Sequence, residues 1–369
     1  YVPTFDKDAG SKTTYQYLKM FLKMGYAVKF LGDNFLHEEP YSTALQQMGV
    51  EILYGAEYQS GIWDWILKNK DEIDFAYLNR PHIAVKYVDF LKKNTNIKII
   101  YYGHDLHFLR EYREYELTGD IQKKRESDYW KSIELSLMEK AAVSYYPSYV
   151  EVDAVHELRP EFRLKAITAY VYETFLEKID QDFAKREGLL FVGGFAHPPN
   201  ADAVLWFAKE VFPLIRNHCP VNFYIVGSKV TEEVQALDDP EAGIIVKGFV
   251  TEEELAKLYA SCRLVVVPLR YGAGVKGKVV EAVYYGSAIV TTSIGAEGIP
   301  EAERVMRIGD TPEEFARLVE ELYENPEECR RLSMETQRYI REHFSVEAAW
   351  SVIAEDFSLQ PEPQEDLAS

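Results

Sequence analysis

Short apolar runs alternate with amphipathic stretches along most of the sequence, and this alternation limits the possible folds more than any other feature. Apolar runs such as residues 264–269 have the length of β-strands, whereas the stretches between them carry apolar residues at helical spacing. Repeated βα units of this kind predict an α/β fold with parallel sheets. The same runs are far shorter than the roughly 20 residues of a membrane-spanning helix, so the sequence predicts no such helix.

Each half of the chain contains its own series of alternating strand and helix patterns, which predicts two similar α/β domains in series. The strands of the first half are predicted at residues 27–31, 50–53, 75–78, 97–102 and 143–146. The strands of the second half are predicted at residues 189–192, 222–226, 244–246, 264–268, 288–292 and 305–307. The helical patterns cover residues 13–24, 81–93, 130–141, 200–217, 251–262, 279–285, 312–324 and 326–343.

The polar segment 170–188 has weak periodicity and is the candidate linker. We therefore place a first domain at residues 1–178 and a second at 179–345, with a helix over 346–358 packing back on the first. Residues 361–369 carry two prolines and three acids and are expected to be a disordered tail. Because the chain opens at Tyr1 without Met, it is expected to be trimmed or to come from a longer, multidomain protein.

The chain has 41 basic and 60 acidic side chains and a formal net charge of −19. Binding to a nucleic-acid backbone needs a basic face, so this charge argues against a nucleic-acid partner. The three cysteines, Cys219, Cys262 and Cys329, are far apart and lack zinc-binding spacing. We therefore expect no metal site.

In open parallel sheets, ligands bind beyond the carboxyl ends of the strands, often at helix N-termini. One loop there, GGFAHPPN, begins with Gly193 and Gly194 after the strand that ends at residue 192. Two glycines let a backbone approach an anion, although a glycine pair that merely turns the chain is the alternative. Asn200 is expected to cap the helix that begins at this residue.

A second loop, PLRYGAGVKGKVVEA, carries three glycines and three cations between a strand and a helix. Arg270, Lys276 and Lys278 lie beside a positive helix end, and glycines such as Gly274 expose backbone amides. In so acidic a chain, this cationic loop indicates a specific anion, with a solvated loop as the alternative. Glu281, about one turn into the helix, could accept hydrogen bonds from a ribose diol, or could simply be favoured by the helix dipole.

In the first half, the motif YYGHDLH places His104 just beyond the end of an apolar strand. A histidine in that position can donate to a sugar hydroxyl or to a leaving phosphate. The first strand-to-helix loop, residues 6–11, contains Gly10 and Ser11. Their backbone amides could approach a phosphate, or these residues could simply cap the following helix.

The second half resembles the donor-binding domain of retaining glycosyltransferases of family 4, which have the two-domain GT-B fold. The resemblance is carried in order by LLFVGGFAHPPNADAVLWF, IIVKGFV and LVVVPLRYGAGVKGKVVEAVYYGSAIVTTSIGAEGI, which lie within residues 189–299. The opening loop and His104 resemble the family's glycine loop and sugar-facing histidine. The resemblance therefore implies an α/β GT-B fold with two Rossmann-like parallel-sheet domains facing across a cleft.

The resemblance implies transfer of a sugar from a nucleotide-activated donor with retention of anomeric configuration. Lys276 and Lys278 would hold the diphosphate, Glu281 would take the ribose hydroxyls, and the segment 247–250, with Gly248, would face the base. The loop 293–297, beginning at Ser293, would lie close to the donor sugar. His104 would reach across the cleft towards that sugar, and Gly10 would face the diphosphate. His104 and Lys276 are the residues to which we assign catalytic roles.

One departure concerns two glutamates that the family often carries seven residues apart. Counting back from Glu281 places Ala273 at the first position, so this carboxylate is missing. Its absence is consistent with a different donor sugar, such as a deoxy sugar, or with a weakened enzyme. A basic residue that the family often has after the Gly193–Gly194 pair is also not evident, which leaves Arg270, Lys276 and Lys278 to neutralise the diphosphate without a metal.

The resemblance therefore implies a hexosyl or deoxyhexosyl transferase of the bacterial polysaccharide or O-antigen type, acting without a cofactor. Its donor would carry UDP, GDP or dTDP, and its acceptor would be a glycan or lipid-linked glycan. The expected location is the cytoplasm, with peripheral contact at the inner face of a bacterial membrane. The stretch 109–130 could line the acceptor site, although an amphipathic helix pair covering the first sheet is the preferred interpretation. The alternatives are a non-catalytic nucleotide-sugar-binding module of a larger assembly and a GT-B sugar-nucleotide epimerase.

Overall fold

The computed structural model describes residues 1–7 and 9–358, and the chain divides into two compact units. Unit 1 comprises residues 1–171 together with 346–358, and unit 2 comprises residues 172–345. The boundary at residue 171 precedes the one predicted at residue 178, and the helix that begins at Val346 belongs to unit 1. The predicted disordered tail at 361–369 lies outside the described residues.

Unit 1 is built from a four-stranded parallel sheet and a separate pair of parallel strands. Its strands are β1 (Lys29–Leu31), β2 (Glu51–Leu53), β3 (Phe75–Asn79), β4 (Lys98–Tyr102), β5 (Val143–Tyr146) and β6 (Leu164–Ala166). Its helices are α1 (Ala9–Lys23), α2 (Tyr41–Gln47), α3 (Ala56–Asn69), α4 (Pro81–Asn94), α5 (His107–Thr118), α6 (Ile121–Lys140), α7 (Tyr149–His156) and, from the end of the chain, α16 (Val346–Ile353). The larger sheet has the sequential order β3-β4-β5-β6.

Unit 2 is built around a six-stranded parallel sheet with the order β12-β11-β10-β7-β8-β9. Its strands are β7 (Leu189–Val192), β8 (Phe223–Val226), β9 (Ile244–Gly248), β10 (Leu264–Val267), β11 (Ala288–Thr291) and β12 (Met306–Ile308). Its helices are α8 (Pro198–Trp206), α9 (Phe212–His218), α10 (Glu232–Gln235), α11 (Glu252–Ser261), α12 (Gly277–Tyr284), α13 (Ser293–Ala296), α14 (Pro312–Tyr323) and α15 (Pro326–Phe344). A π-helical turn at Phe207–Val211 joins α8 to α9.

The strands of both sheets are apolar because helices cover both faces of each sheet. Along β4 the side chains alternate between two cores: Ile99 and Tyr101 pack with α4 and α6, and Ile100 and Tyr102 pack with α1 and α16. In unit 2 the four residues of β10 are all buried. The sequence prediction of two α/β units with parallel sheets is thereby confirmed.

Within the part of the chain that the structure describes, no helix is both long and apolar enough to cross a bilayer. The predicted strands all form, with end positions that differ by one or two residues in most cases. The stretch predicted as an amphipathic helix pair forms α5 and α6. Strand β6 and helices α2, α3 and α7 were not predicted, because β6 has only three residues and these helices lie in weakly periodic segments.

Candidate functional site

Strand order in unit 2 creates a topological switch point between β7 and β10. From β7 the chain continues outward to β8 and β9, whereas β10 is followed on its other side by β11 and β12. In open parallel sheets a crevice forms at such a point, beyond the carboxyl ends of the strands. Here the loops after β7 and β10 lead into α8 and α12, so two helix N-termini flank the same crevice.

Glycines let the backbone approach closely at this edge. A Cβ atom added to Gly227, just after β8, would lie 1.8 Å from the carbonyl oxygen of Gly193, so a side chain there is sterically excluded. Gly193 itself packs against Asn200, whose Nδ2 would lie 3.0 Å from an added Cβ. In the loop after β10, Gly274 has a φ of 71°, which an L-residue with a side chain rarely adopts. The predicted glycine-rich loops therefore have a steric basis.

Asn200 connects the two loops through its side-chain amide. Its Nδ2 donates to the carbonyl oxygen of Gly194 over 2.7 Å, and its Oδ1 accepts a hydrogen bond from Nζ of Lys278. The predicted capping role of Asn200 is wrong: α8 begins at Pro198, and His197 occupies the N-cap position. Proline is favoured at the first helical position, which moves the helix start two residues towards the N-terminus and turns Asn200 into the loop.

Lys276 and Lys278 lie at the N-terminus of α12, where Lys276 is the N-cap residue. Nζ of Lys276 donates to the carbonyl oxygen of Gly274 and lies 4.0 Å from Oε1 of Glu297. Burial, with a contribution from the positive charge of Lys276, lowers the pKa of Lys278 to about 8. The same two lysines, after burial, lower the pKa of His197. The crevice therefore concentrates positive charge that a bound anion would stabilise.

Glu281 lies on α12 one turn beyond Lys278, with its carboxylate held by a buried tyrosine. The hydroxyl of Tyr259 donates to Oε2 of Glu281 over 3.0 Å. The ring of Tyr259 stacks on that of Tyr285 at a centroid distance of 4.3 Å and an interplanar angle of 10°. Burial, and then the negative charge of Glu281, raise the pKa of Tyr259 well above its usual value, so it remains a donor.

Arg270 and Ser293 make specific contacts with aspartates of unit 2. The Arg270 guanidinium forms a two-pronged ion pair with Asp202, with 2.9 Å between Nε and Oδ2. Asp202 and Asn200 are two residues apart on α8 and point to different faces, so Arg270 and Lys278 approach different sides of this helix. Ser293 binds Asp310 through its backbone N–H over 2.7 Å and through its hydroxyl over 2.6 Å.

Gly248, the remaining predicted donor-site residue of unit 2, ends β9. Its carbonyl oxygen accepts the backbone N–H of Gly227 over 2.9 Å, and its φ is 66°. The following residue, Phe249, exposes 77% of its surface. An aromatic side chain this exposed at the carboxyl edge of the sheet offers a flat apolar surface to a planar ligand.

His104 follows β4 in unit 1, next to the residues that follow β3. Its Nε2 lies 3.1 Å from Oδ1 of Asn79, so the ring donates from Nε2 and keeps Nδ1 as an acceptor. Burial, followed by the positive charges of Arg80 and two other histidines, lowers the pKa of His104 to about 3. The ring is therefore neutral near pH 7. The sequence predicted that His104 donates to a sugar hydroxyl or to a leaving phosphate. A neutral ring whose Nε2 already donates to Asn79 is better suited to accept a hydrogen bond through Nδ1.

The backbone around His104 depends on Gly103. A Cβ atom on Gly103 would lie 2.2 Å from the ring of Tyr146, so only glycine fits beside this buried tyrosine.

Gly10 lies in unit 1 in the first turn of α1, where its carbonyl oxygen accepts the Thr14 hydroxyl over 3.0 Å. Asp8, in the same predicted loop, is outside the described residues.

Among the described residues, one group of side chains lies within metal-binding distance of one another: Glu301, Glu342 and His343. The Arg304 guanidinium already binds both carboxylates, at 2.6 Å from Glu301 and 3.1 Å from Glu342. A cation thus already compensates these acids, and none of the predicted site residues belongs to the group.

Sequence reasoning missed Asn79 and Tyr259 as site residues and misassigned Asn200. Asn79 had a usable signal, because an asparagine that ends an apolar strand before Arg-Pro lies at the ligand-binding edge of a parallel sheet. Tyr259 had none, since its position in the amphipathic helix α11 is typical of a core residue.

Residues 186–325 match a protein-family model described as glycosyl transferases group 1. An uncharacterized 44.6 kDa protein in the cps region of Klebsiella pneumoniae is 30% identical over 118 residues, a match that covers 30% of this chain and 30% of that protein. The matched region thus spans less than a third of the curated relative.

Solved structures resemble the chain over nearly its full length. HepE of Anabaena, crystallised with UDP, has a TM-score of 0.65 at 14% identity over 93% of this chain and 95% of that one. Sucrose-phosphate synthase of Thermosynechococcus elongatus has a TM-score of 0.64 at 13% identity over 94% and 92%. The fold is therefore GT-B, as predicted, and the group 1 domain in residues 186–325 supports a glycosyltransferase.

Proposed function

We propose that this chain, which has a GT-B fold with a group 1 glycosyltransferase domain in residues 186–325, is a retaining glycosyltransferase of family 4. It transfers a hexosyl or deoxyhexosyl group from a nucleoside-diphosphate sugar to a glycan or lipid-linked glycan. The observation that carries the proposal is the meeting of Lys278 and Asn200 at the switch point of unit 2, which brings two helix N-termini and two lysines to one crevice.

The diphosphate of the donor fits this crevice by charge. A partly buried ammonium group such as that of Lys278 is unfavourable without a partner, as its pKa of about 8 indicates. A diphosphate removes this penalty, and it also gains from the N-terminal dipole of α12 and from backbone amides of the glycine loops. Lys276, whose side chain is only 9% exposed, supplies the second ammonium group.

The nucleoside of the donor extends from the diphosphate in this proposal. The Glu281 carboxylate accepts two hydrogen bonds from the ribose diol, and Tyr259 holds it in place. The base lies along the segment 247–250, beside Gly248 and the exposed ring of Phe249. HepE of Anabaena has been crystallised with UDP and with UDP-glucose, which supports a nucleoside-diphosphate sugar as the ligand class for this fold.

In the transfer, the bond between the anomeric carbon and the diphosphate breaks, the acceptor oxygen bonds to that carbon on the same face, and the proton of the acceptor hydroxyl passes to the departing diphosphate. Negative charge develops on the departing diphosphate, and groups already oriented towards it, Lys276, Lys278 and backbone amides, stabilise that charge. This charge compensation replaces a divalent ion. His104, neutral and with Nδ1 available as an acceptor, hydrogen-bonds a sugar hydroxyl.

The acceptor class is inferred from the genomic location of the curated relative. The Klebsiella relative is named for its location in a cps region, which favours a polysaccharide-type acceptor. A lipid-linked acceptor would imply peripheral contact with the cytoplasmic face of a bacterial membrane, and we include that location in the proposal.

Ala273 favours a second candidate, a non-catalytic module that binds nucleotide sugars. The family's first glutamate is absent at this position, and a chain that binds the donor without transferring it would still need the lysines and Glu281. A transferase consumes donor faster when acceptor is supplied, whereas a binding module does not consume it.

Calorimetric titration with UDP, GDP and dTDP tests the donor site directly. We expect micromolar binding of one nucleotide, weakened at least tenfold in Lys276→Ala and in Glu281→Ala. Lys257→Ala is the matched control, because Lys257 is an exposed lysine of the same unit that pairs with Glu253. If none of the nucleotides binds to the wild-type protein, the proposed function is wrong.

A further inference from the structure

Arg80 is a partly buried cation for which the described residues provide no carboxylate partner. The two acids of the neighbouring segments are engaged elsewhere: Asp33 binds Lys86 and Tyr87, and Asp105 binds Arg110. The other cations of this region therefore have partners, whereas the Arg80 guanidinium makes no ion pair within residues 1–7 and 9–358. In a protein with a net charge of −19, such an arginine is unusual.

Arg80 lies beside His104 at the carboxyl edge of the unit 1 sheet. Its backbone N–H donates to the carbonyl oxygen of Tyr102 over 3.0 Å, which aligns it with the Gly103–His104 segment of the next strand. The positive charge of Arg80 contributes, after burial, to the lowered pKa of both His104 and His82. The side chains of Arg80, His82 and His104 are therefore close enough for the charge of Arg80 to act on both histidine rings.

The backbone conformation at this edge is unusual at two neighbouring positions. Arg80 has a φ of 65° and His104 a φ of 57°, and neither residue is a glycine. Left-handed conformations are unfavourable for such residues and are retained where the surroundings enforce them, often at binding sites. Arg80 directly follows β3, and His104 follows the adjacent strand β4 after Gly103.

Arg80 is also the N-cap residue of α4, and no side chain caps this helix. Pro81 has no N–H, and the backbone N–H of His82 donates to no acceptor in the described part of the chain. The first turn therefore presents an amide donor two residues after Arg80, whose positive charge acts on the His82 ring. A planar guanidinium beside such an amide is suited to a phosphoryl oxyanion, which accepts several hydrogen bonds at once.

We propose that Arg80, the backbone N–H of His82 and the first turn of α4 form a binding site for a phosphoryl oxyanion. Identifying the source of that anion rests on the proposed function. Two substrates of the proposed reaction could carry it: a phosphorylated acceptor or the diphosphate of the donor. The shared chemistry is recognition of a phosphoryl group by a guanidinium and a helix N-terminus.

The test is calorimetric titration with inorganic pyrophosphate as the probe. The wild-type protein is titrated after saturation with its nucleotide, and a Lys276→Ala, Lys278→Ala double variant is titrated without nucleotide, so that the donor site does not contribute. Arg80→Ala is then introduced in each background. We expect Arg80→Ala to weaken pyrophosphate binding about tenfold or more. Arg80→Lys should weaken it less, because lysine keeps the positive charge but lacks the planar set of N–H donors of a guanidinium group.

The matched control is Arg125→Ala, which removes an exposed arginine of α6 in the same unit and should leave pyrophosphate binding unchanged. Thermal melting of each variant checks that it is folded. If pyrophosphate fails to bind in both backgrounds, or binds equally well after Arg80→Ala, the inference is wrong.

The nucleotide affinity of Arg80→Ala identifies the source of the phosphoryl group. An unchanged affinity assigns the site to the acceptor, and a weakened affinity assigns it to the donor. If no nucleotide binds to the wild-type protein, the proposed function fails, but the titration of the double variant still decides whether Arg80 binds a phosphoryl anion.

Discussion

The side chain of Asn200 accepts a hydrogen bond from Lys278 and donates one to the carbonyl oxygen of Gly194 over 2.7 Å. These two bonds join the loop after β7 to the first turn of α12, across the point where the strand order reverses. Asn200 is only 4% exposed, so water cannot readily replace either bond. Its amide therefore both positions the lysine and fixes the glycine loop.

Asn200→Ala should weaken nucleotide binding about tenfold, because Lys278 loses its orientation and Gly194 its hydrogen bond. It should also lower the free energy of unfolding by about 1–3 kcal/mol, the usual cost of a buried polar group left without a partner. Calorimetry and urea denaturation measure the two effects. Asn217→Ala, an exposed asparagine of α9, is the control and should change neither quantity. Unchanged nucleotide affinity in Asn200→Ala would show that Lys278 does not depend on Asn200.

Nucleotide binding should weaken as pH rises above about 8. The pKa of Lys278 is lowered to about 8 in the free protein, and a bound diphosphate stabilises the protonated form and raises that pKa. The complex therefore holds more protons than the free protein around and above pH 8, so binding takes up protons there and loses affinity with increasing pH. Titrations at pH 7 and pH 9, in buffers of different ionisation enthalpy, measure both effects.

Lys278→Arg is the control for this pH dependence. Arginine keeps its charge throughout the range, so the variant should show little proton uptake between pH 7 and pH 9. Equal proton uptake in the wild type and in Lys278→Arg would assign the effect to another group.

The wild-type protein without nucleotide should become more stable to unfolding over the same pH range. The unfolded chain, with a lysine pKa near 10.4, binds the proton that folded Lys278 releases from pH 8 upward.

How far the sequence determines this site can be seen from Lys276, Lys278 and Asn200. The alternation of strands and helices predicted that both lysines lie at a helix N-terminus beyond a strand, because this follows from local pattern alone. The contact between Lys278 and Asn200 depends on β7 and β10 being neighbours, which is a property of strand order and is not visible in local spacing. The helix start at Pro198 could have been predicted from proline preference, and it would have removed the capping error at Asn200.

Unit 1 shows the same division between local and non-local information. The position of His104 after β4 was predictable from the apolar run before it. Its hydrogen bond to Asn79 requires β3 and β4 to pair in the observed register, with Asn79 opposite Tyr102. Strand β6, which was not predicted, depends on packing between distant segments, for example the buried Asp356, which binds Lys165 of this strand over 2.6 Å. Periodicity carries no information on such contacts.

Tyr259→Phe should weaken nucleotide binding about threefold to tenfold while leaving the fold intact. The substitution removes only the hydroxyl that donates to Glu281 over 3.0 Å, and the ring still stacks on Tyr285. A hydrogen bond to a charged group contributes more than one between neutral groups, so the loss should be measurable. Calorimetry with the cognate nucleotide is the measurement, and Tyr285→Phe is the control because it preserves the same stack. Equal effects of the two substitutions would remove Tyr259 from the site.

His104 should make the protein less stable as the pH falls. Its pKa is about 3 in the folded protein and near 6.5 in the unfolded chain, so below pH 6.5 the unfolded state binds a proton that the folded state does not. The free energy of unfolding should therefore rise between about pH 3 and pH 6.5 and then level off, with a cost at pH 5 of about 1–2 kcal/mol. His104→Asn removes the titrating group, and asparagine tolerates the φ of 57°.

Urea denaturation at pH 5 and pH 7.5 tests this expectation for His104. The stability of the wild type relative to His104→Asn should be lower at pH 5 than at pH 7.5. Because His104 stays neutral in the folded protein above about pH 4, replacing it should lower turnover without removing an ionisation from the pH–rate profile between pH 5 and pH 8. If His104→Asn abolishes an acidic limb near pH 6, the histidine acts as a protonated group, and the acceptor role inferred from its bond to Asn79 is wrong.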